Sequence, residues 1–394
     1  MVTAPRDGRA HRGAMQALAV SLVGPNCQVE AEIVGREGGV SLVVAGMRRF
    51  HSSAPIAAAG CAALAAFAVA PTLVNLLPPA GGLEAVVLAM TRHANVSQVQ
   101  ASGCAAVARV AAASPELKAA AVHAGCPLVV LRALQLVVQR RETGETRDWA
   151  CAAMASLADH PDAKAVGAAA SEPLVAVIRE GLATRGGSEV GAMRALSAVL
   201  LGASSGVLRP AVAAGAVEVA VEAVESAVRG VSDPLLLAPA AATLCAAADN
   251  REARRRMAAV GAAGHLLRAV VGAEGGRAEA VLVMALGLWA KVVEDPDVGG
   301  ATRADLVAGG AIEASIGAMR ALPTSTAVAA GACLLVYLLC VEPRAAQRAL
   351  AAGGEAAMRE ALAQHGGGAE VVRTMATGAL TRMQSDRTRQ AHGS

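Results

Sequence analysis

The chain has 394 residues, of which 55% are hydrophobic and only 1% aromatic, and a formal net charge of +3. So small a cationic excess argues against a nucleic-acid-binding protein, which normally carries a strongly basic face. Abundant alanine with few aromatic residues argues against β-sheet and favours closely stacked helices, because alanine has the highest helix propensity. The charged start (Arg6, Asp7, Arg9, Arg12) predicts no secretory signal. We therefore expect an intracellular protein, cytoplasmic or alternatively nuclear, with reduced cysteines.

Glycines recur at intervals of about 43–49 residues, each after one helical segment and before an apolar one. They are Gly39, Gly82, Gly125, Gly215, Gly261, Gly310 and Gly354, and the Ala170-Ser171 pair takes the corresponding place in the fourth repeat. Prolines or capping residues that can start a helix also recur, at Pro71, Pro115, Pro161, Pro210, Asp249-Asn250, Pro296 and Pro343. The pattern predicts eight repeats, each with a short first helix ending at the glycine, a second helix, a loop and a third helix.

Repeats 1 to 8 are predicted to span 25–70, 71–113, 114–158, 159–203, 204–248, 249–294, 295–341 and 342–383. Residues 1–24 are predicted to be a tail and the third helix of a partial leading repeat, and residues 384–394 a flexible tail. Two uncharged stretches, 56–77 and 321–341, have the length of membrane spans. The first is mostly alanine with Pro71 inside it and the second opens with a polar linker, so no transmembrane span is predicted.

Residues 98–134 carry the clearest order of elements: QVQASGCAAVA, then SPELK, then AGCPLVVL. This stretch resembles the third helix, first helix, glycine and second helix of the armadillo repeat family. HEAT repeats have a similar length but normally two helices. The resemblance implies an all-α, right-handed superhelical solenoid whose third helices line a concave groove for protein partners. Cys61, Cys104 and Cys151 fall at equivalent third-helix positions and are expected to be small buried residues.

Importin-alpha-type import receptors have this fold and carry tryptophan and asparagine ladders on their third helices. The tryptophan-equivalent positions here are Ala62, Ala105, Ala152, Arg194, Ala242, Met284 and Cys333. The asparagine-equivalent positions are Ala66, Arg109, Ser156, Ala198, Ala246, Leu288 and Tyr337. Neither ladder is present, so an importin-like receptor for basic peptides is not expected. Arg109, Ser156, Arg194 and Tyr337 remain as candidate protein-binding residues in an apolar groove.

Two further features are candidates for partner contact. Trp149 follows the longest charged loop, 140–148, and is expected to be partly exposed, whereas Trp289 lies in an apolar helix and is expected to be core. The run 251–256 contains four arginines, among them Arg254 and Arg255, which could meet an acidic protein or a phosphate surface. The alternative for both features is a solvated linker or helix face.

No catalytic or metal-binding pattern is convincing. The sequence 202–206, Gly-Ala-Ser-Ser-Gly, fits the GxSxG pattern but is preceded by a helical segment, whereas a nucleophile elbow needs a strand. No cofactor is predicted, and the histidines lack metal-ligand spacing.

The leading hypothesis is a non-catalytic scaffold or adaptor that binds a protein whose identity stays open. The alternatives are a regulatory subunit or assembly factor of an enzyme complex, and a nucleic-acid or membrane-surface binder acting through the basic run.

Overall fold

The computed structural model describes residues 8–21, 27–184, 187–271 and 277–393. These residues form helices joined by short turns, and no strand occurs among them. The chain divides into two compact units, Met1–Ala214 and Gly215–Ser394, which we call the N-terminal and C-terminal units.

In the N-terminal unit, α1, α4, α7, α10 and α12 pack side by side in that order, and the other helices flank them. Helices α4, α7, α10 and α12 are the third helices of repeats 1 to 4, and α1 is that of the partial leading repeat. The helices are α1 (Gly8–Ser21), α2 (Cys27–Arg36), α3 (Gly39–Arg49), α4 (Ala54–Phe67), α5 (Pro71–Val74), α6 (Gly82–Arg92), α7 (Ser97–Ala113), α8 (Pro115–His123), α9 (Cys126–Arg140), α10 (Glu145–Leu157), α11 (Lys164–Thr184), α12 (Glu189–Leu200) and α13 (Ser205–Ala214), with a 3-10 turn at Pro161–Ala163.

In the C-terminal unit, the third helices α15, α18, α21 and α24 likewise pack side by side. The helices are α14 (Ala216–Val228), α15 (Leu237–Ala247), α16 (Arg251–Ala259), α17 (Ala262–Val271), α18 (Arg277–Val293), α19 (Gly299–Gly309), α20 (Ala311–Ala321), α21 (Thr326–Leu339), α22 (Pro343–Ala351), α23 (Gly354–His365) and α24 (Glu370–Gly393), with a 3-10 turn at Pro234–Leu236.

A glycine in the left-handed conformation precedes the second helix in seven of the eight repeats. These glycines are Gly38, Gly81, Gly125, Gly215, Gly261, Gly310 and Gly353, with φ between 65° and 98°. The predicted residues Gly39, Gly82 and Gly354 are one position late, because each is already the first residue of the second helix. A residue with a Cβ resists this conformation, which explains why the turn requires glycine.

Repeat 4 differs from the prediction because its first and second helices are one continuous helix, α11. The residues in the glycine position, Ala170 and Ser171, both lie inside α11 and are buried. Neither can adopt the left-handed conformation without cost, so the helix runs through the place where the other repeats turn. Pro210 also departs from the prediction, since it lies inside α13 and does not begin it.

The core is built from small residues where third helices touch. Cys61, Cys104 and Cys151 are each 0% exposed, as expected. Burial raises the pKa of the Cys61 and Cys151 thiols to about 12, so both stay protonated and unreactive at neutral pH. Trp289 is also fully buried, and its Nε1 donates a hydrogen bond to the Ala263 carbonyl oxygen at 3.2 Å.

The ends of the chain differ from the predicted boundaries. Helix α1 spans Gly8–Ser21, within the segment 1–24 predicted to hold the tail and the third helix of the partial leading repeat, and α24 continues to Gly393 instead of ending at Met383. Residues 1–7, the first part of the segment predicted as a tail, and residues 25–26 at the start of repeat 1 lie outside the described residues. Within the described residues, no single helix combines the length and apolar content needed to cross a membrane; α8 and α9 pass that test only as a pair bent by 75°.

Candidate protein-binding surface

The third helices of the N-terminal unit carry small side chains at the positions aligned with the tryptophan and asparagine ladders. We call these residues the third-helix surface: Ala62, Ala66, Ala105, Arg109, Ala152, Ser156, Arg194 and Ala198. Ala66 and Ala105 are buried, Ala62, Ala152 and Ala198 are half-buried, and Arg194 is exposed. The surface is therefore apolar and shallow, and its larger polar groups come from the two arginines.

Arg109 on α7 contacts the third helices on both sides of it. Its Nη1 donates a hydrogen bond to the carbonyl oxygen of Ala65 on α4, at 2.9 Å. Its guanidinium carbon lies 4.9 Å from the ring centre of Trp149 on α10, a cation–π contact. Burial lowers the pKa of Arg109 from its ordinary value, yet an arginine stays charged at neutral pH. The fold thus brings together two residues, Arg109 and Trp149, that sequence reasoning chose separately.

Tyr337 on α21 forms a similar pair in the C-terminal unit. The guanidinium carbon of Arg382 on α24 lies 3.6 Å from the Tyr337 ring centre, and Arg382 Nη1 donates to the Tyr337 carbonyl oxygen. Gly378 allows this approach, because a Cβ there would lie 2.7 Å from Tyr337 Cε2. Arg382 is a candidate that the sequence analysis missed. It lies 45 residues after Tyr337, so continuing the asparagine-equivalent ladder into repeat 8 would have identified it.

Ser156 and Arg194 are not joined to these pairs by any hydrogen bond among the described residues. The Ser156 hydroxyl donates to the Ala152 carbonyl oxygen of its own helix at 2.9 Å. Arg194 is exposed on α12, and its carbonyl oxygen accepts a hydrogen bond from the Ser197 hydroxyl at 2.8 Å. Ser156 is therefore the weaker candidate, because its only hydroxyl donor is already used.

No family model matches this chain, and no curated protein matches it in sequence. Solved structures do match. A structure concerning the phosphorylation switch that controls the interaction between cadherin and β-catenin aligns with a TM-score of 0.78 at 14% identity, covering 97% of this chain and 76% of that one. An engineered protein from the Northeast Structural Genomics Consortium aligns with a TM-score of 0.68 at 22% identity, covering 97% of both chains. A designed armadillo repeat protein aligns with a TM-score of 0.51 at 17% identity, over 64% of this chain and 99% of that one.

The chain has an armadillo-type repeat fold. Because every one of these identities is below 25%, the similarity establishes the architecture and leaves the function to be argued from the residues. Within the armadillo-type repeat, Arg109 and Trp149 belong to third helices, whereas the basic run belongs to a first helix, α16.

The arginines of α16 are paired with acidic residues of the C-terminal unit. Arg254 Nε donates to Asp295 Oδ2 at 2.5 Å, and Arg251 and Arg255 both donate to Asp297 Oδ2 at 2.7 Å. These hydrogen bonds hold the pKa of both aspartates below its ordinary value.

The fourth arginine of the run, Arg256, lies 3.3 Å from Glu252 and 3.4 Å from Glu218. Arg254 and Arg255 thus already contact carboxylates of the chain itself, so an acidic partner at the run would have to compete with these ion pairs. The same competition makes the run a weaker candidate for a phosphate-binding surface than its sequence alone indicates.

The charged loop before Trp149 is shorter than predicted and is held in place. Helix α9 ends at Arg140 and α10 begins at Glu145, so the loop comprises 141–144. Glu142 accepts a hydrogen bond from the Ser97 hydroxyl at 2.9 Å. Arg147, predicted to lie in the loop, is instead a buried residue of α10, and its Nη2 lies 2.8 Å from Glu180 Oε2. Such a restrained loop is a less adaptable contact site than the sequence suggested.

The GxSxG match spans the turn after α12 and the first two residues of α13, and its central residue, Ser204, is exposed immediately before α13. The element before it is a helix, so the strand-to-turn geometry of a nucleophile elbow does not occur there. In the described part of the chain, no group of three or more His, Cys, Asp and Glu side chains is arranged to hold a metal ion.

Proposed function

We propose that this armadillo-type chain is a non-catalytic scaffold or adaptor that binds a partner protein on its third-helix surface, with Arg109 and Trp149 as the central contact. The observation that supports this proposal is the position of Arg109, half-buried between α4 and α10 and held by both. Tryptophan and arginine are enriched among residues that dominate binding energy. Side chains that are already ordered lose little conformational entropy when a partner arrives.

The chemistry of the surface indicates what the partner presents. A guanidinium has five N–H donors, and among the described residues the hydrogen bond to Ala65 is the one that Arg109 donates. The remaining donors suit a carboxylate or a backbone carbonyl oxygen. The alanines around the pair offer shallow apolar contact. We therefore expect a helix or extended segment with small apolar side chains and an acidic residue that faces Arg109.

Selection of peptides from a random displayed library against the whole chain tests this proposal. Selected peptides should share an acidic residue, and Arg109→Ala should weaken their binding about tenfold, which corresponds to about 1.4 kcal/mol. The matched control is Arg132→Ala, which removes an exposed arginine from the second helix α9. Peptides that bind both variants and the parent chain equally would contradict the proposal. Circular dichroism of each variant establishes that the fold is unchanged.

A further inference from the structure

The N-terminal unit has an open apolar groove between α1 and α3. Its volume is about 260 Å³, and Ala10, Ala14 and Leu18 of α1 face Leu42 and Gly46 of α3 across it. Leu42 is 55% exposed and lies among the apolar residues that line the groove.

The same place one repeat later is filled. Between α4 and α6 the second helix α3 contributes Met47 and Arg48, and a volume of only about 10 Å³ remains. Three residues of the open groove, Leu42, Ala45 and Gly46, correspond in the repeat to three residues of the filled one, Ala85, Leu88 and Ala89. The difference between the two sites is therefore the presence of a second helix.

The C-terminal unit repeats the filled arrangement. Between α21 and α23 the second helix α20 contributes Met319 and Arg320, and again about 10 Å³ remains. The α23 residues that line it are Ala357, Glu360, Ala361, Gln364 and His365. In both filled sites the occupant is a second helix with a methionine followed by an arginine near its end. No described helix holds the corresponding place beside α1.

In the filled repeats, a glycine of the third helix is the point at which a methionine of the second helix makes contact. Met47 packs directly on Gly60 of α4, and Met90 packs in the same way on Gly103 of α7. Gly13 lies at the corresponding part of α1, within one residue, and no described atom lies within 4 Å of a Cβ built there. Gly13 is exposed, and among the described residues the space above it is open to a large side chain.

The charged side chains of the two helices that flank the groove are all positive. Helices α1 and α3 together contain no aspartate or glutamate. Arg9 and Arg12 lie on α1, and Arg49 of α3 lines the groove itself, whereas Arg48 is directed into the filled site and donates to the Gly81 carbonyl oxygen. A helix with carboxylates on its flank would therefore be attracted to this site, and one with a basic flank repelled.

We infer that the groove between α1 and α3 binds an amphipathic helix of a partner protein, which takes the place of the second helix of the leading repeat. The bound helix spans about three turns, like α3 and α6. It places a methionine or leucine against Gly13 and acidic residues toward Arg12 and Arg49. This inference rests on the proposed protein-binding function but uses a surface separate from Arg109 and Trp149.

The probe is a labelled peptide with the α6 sequence, residues 82–92, carrying Thr91→Glu and Arg92→Glu. Fluorescence polarisation with the whole chain should show saturable binding, weakened about tenfold or more by Leu42→Glu. The matched control is Leu128→Glu, since Leu128 is 56% exposed on the second helix α9 and does not line the groove. A twin peptide with glutamine in place of its glutamates should bind several-fold more weakly, and added salt should reduce the difference.

Equal binding to the Leu42→Glu and Leu128→Glu variants would overturn the assignment of the groove, and equal binding of the two peptides would overturn the acidic partner. Sedimentation equilibrium tests whether a second copy of the chain occupies the groove instead of a partner helix. If the parent chain dimerises and Leu42→Glu abolishes the dimer, a second copy fills the groove and the inference is wrong. Arg109→Ala should leave peptide binding unchanged, so this inference and the proposed function fail independently.

Discussion

The left-handed glycines before the second helices have different surroundings, although their backbone role is the same. A Cβ at Gly125 would meet nothing described within 4 Å. At Gly81 and Gly353 an arginine from the preceding second helix lies against the turn: Arg48 Nη2 donates to the Gly81 carbonyl oxygen at 3.5 Å, and Arg320 Nη2 donates to the Ala352 carbonyl oxygen at 3.0 Å. Ala352 is the C-cap of the first helix α22, where a positive charge is favourable. Gly81 is instead the N-cap of α6, and its carbonyl oxygen also accepts from Ala85 N.

At Gly125, a substitution therefore measures the free-energy cost of a left-handed backbone conformation without any added steric clash. Gly125→Ala should lower the free energy of unfolding by about 1–2 kcal/mol, because alanine resists a φ of 85°. Gly317, inside α20 with open space around it, is the control, since Gly317→Ala should raise stability by up to about 1 kcal/mol. Urea unfolding of both variants measures the difference. A neutral Gly125→Ala would show that the turn relaxes into another conformation.

The pair of Arg109 and Trp149 should also be measurable without a partner. We expect a coupling energy of about 0.5–1 kcal/mol between Arg109→Met and Trp149→Leu in a double-mutant cycle of unfolding. The reason is that the 4.9 Å cation–π contact exists only when both side chains are present. Additive effects of the two substitutions would mean that the arginine is held by Ala65 alone.

At the scale of elements, the sequence predicts helices well wherever a backbone requirement forces a residue type. Glycine turns at Gly125, Gly215 and Gly310 mark the ends of first helices because few other residues adopt a positive φ. The break predicted at Ala170-Ser171 failed for the same reason, since no residue there favours a turn and α11 continues. Periodicity identifies a helix, but a helix ends only where something in the sequence stops it.

The candidate site was less predictable, because it depends on contacts between repeats. The alignment of third helices was enough to select Arg109 and Tyr337, but their partners depend on where neighbouring helices lie. The pairing of Arg254 with Asp295, 41 residues away, cannot be read from a run of arginines viewed by itself. A charged run on a helix is informative only when the facing element is known.

This pairing predicts how the C-terminal unit responds to acid. Asp295 and Asp297 have pKa values held below the ordinary value by the α16 arginines. The folded state therefore binds protons less readily than the unfolded state, so the stabilisation is complete above the unfolded value of about 3.9. It is lost as the pH falls through the lower folded values.

Thermal unfolding between neutral pH and about pH 2 measures this dependence. Asp295→Asn should lower stability at neutral pH and flatten the acid limb of the profile. The control is Asp305→Asn, which removes an exposed carboxylate from α19. An identical acid limb in the Asp295→Asn variant and the parent chain would show that the ion pair contributes nothing to stability.

At the scale of the whole molecule, helices of one repeat mainly contact those of the adjacent repeats, as the consecutive packing of α4, α7 and α10 shows. A chain built in this way has stability that is roughly a sum of repeats and neighbouring interfaces. A destabilising substitution should therefore loosen mainly its own repeat and the adjacent ones, whereas in a single globular core it would destabilise the whole domain.

Trp289→Ala is a strong test of whether destabilisation stays within neighbouring repeats, because Trp289 is fully buried and hydrogen-bonded to Ala263. Removing it should cost about 3–5 kcal/mol. Hydrogen exchange measured by mass spectrometry should show lost protection in α17, α18 and α19 and retained protection in the N-terminal unit. Phe67→Ala is the reciprocal variant, since Phe67 is fully buried on α4, and it should affect the N-terminal unit alone. If either substitution lowers protection evenly through both units, the armadillo-type chain unfolds as one cooperative body and nearest-neighbour additivity does not describe it.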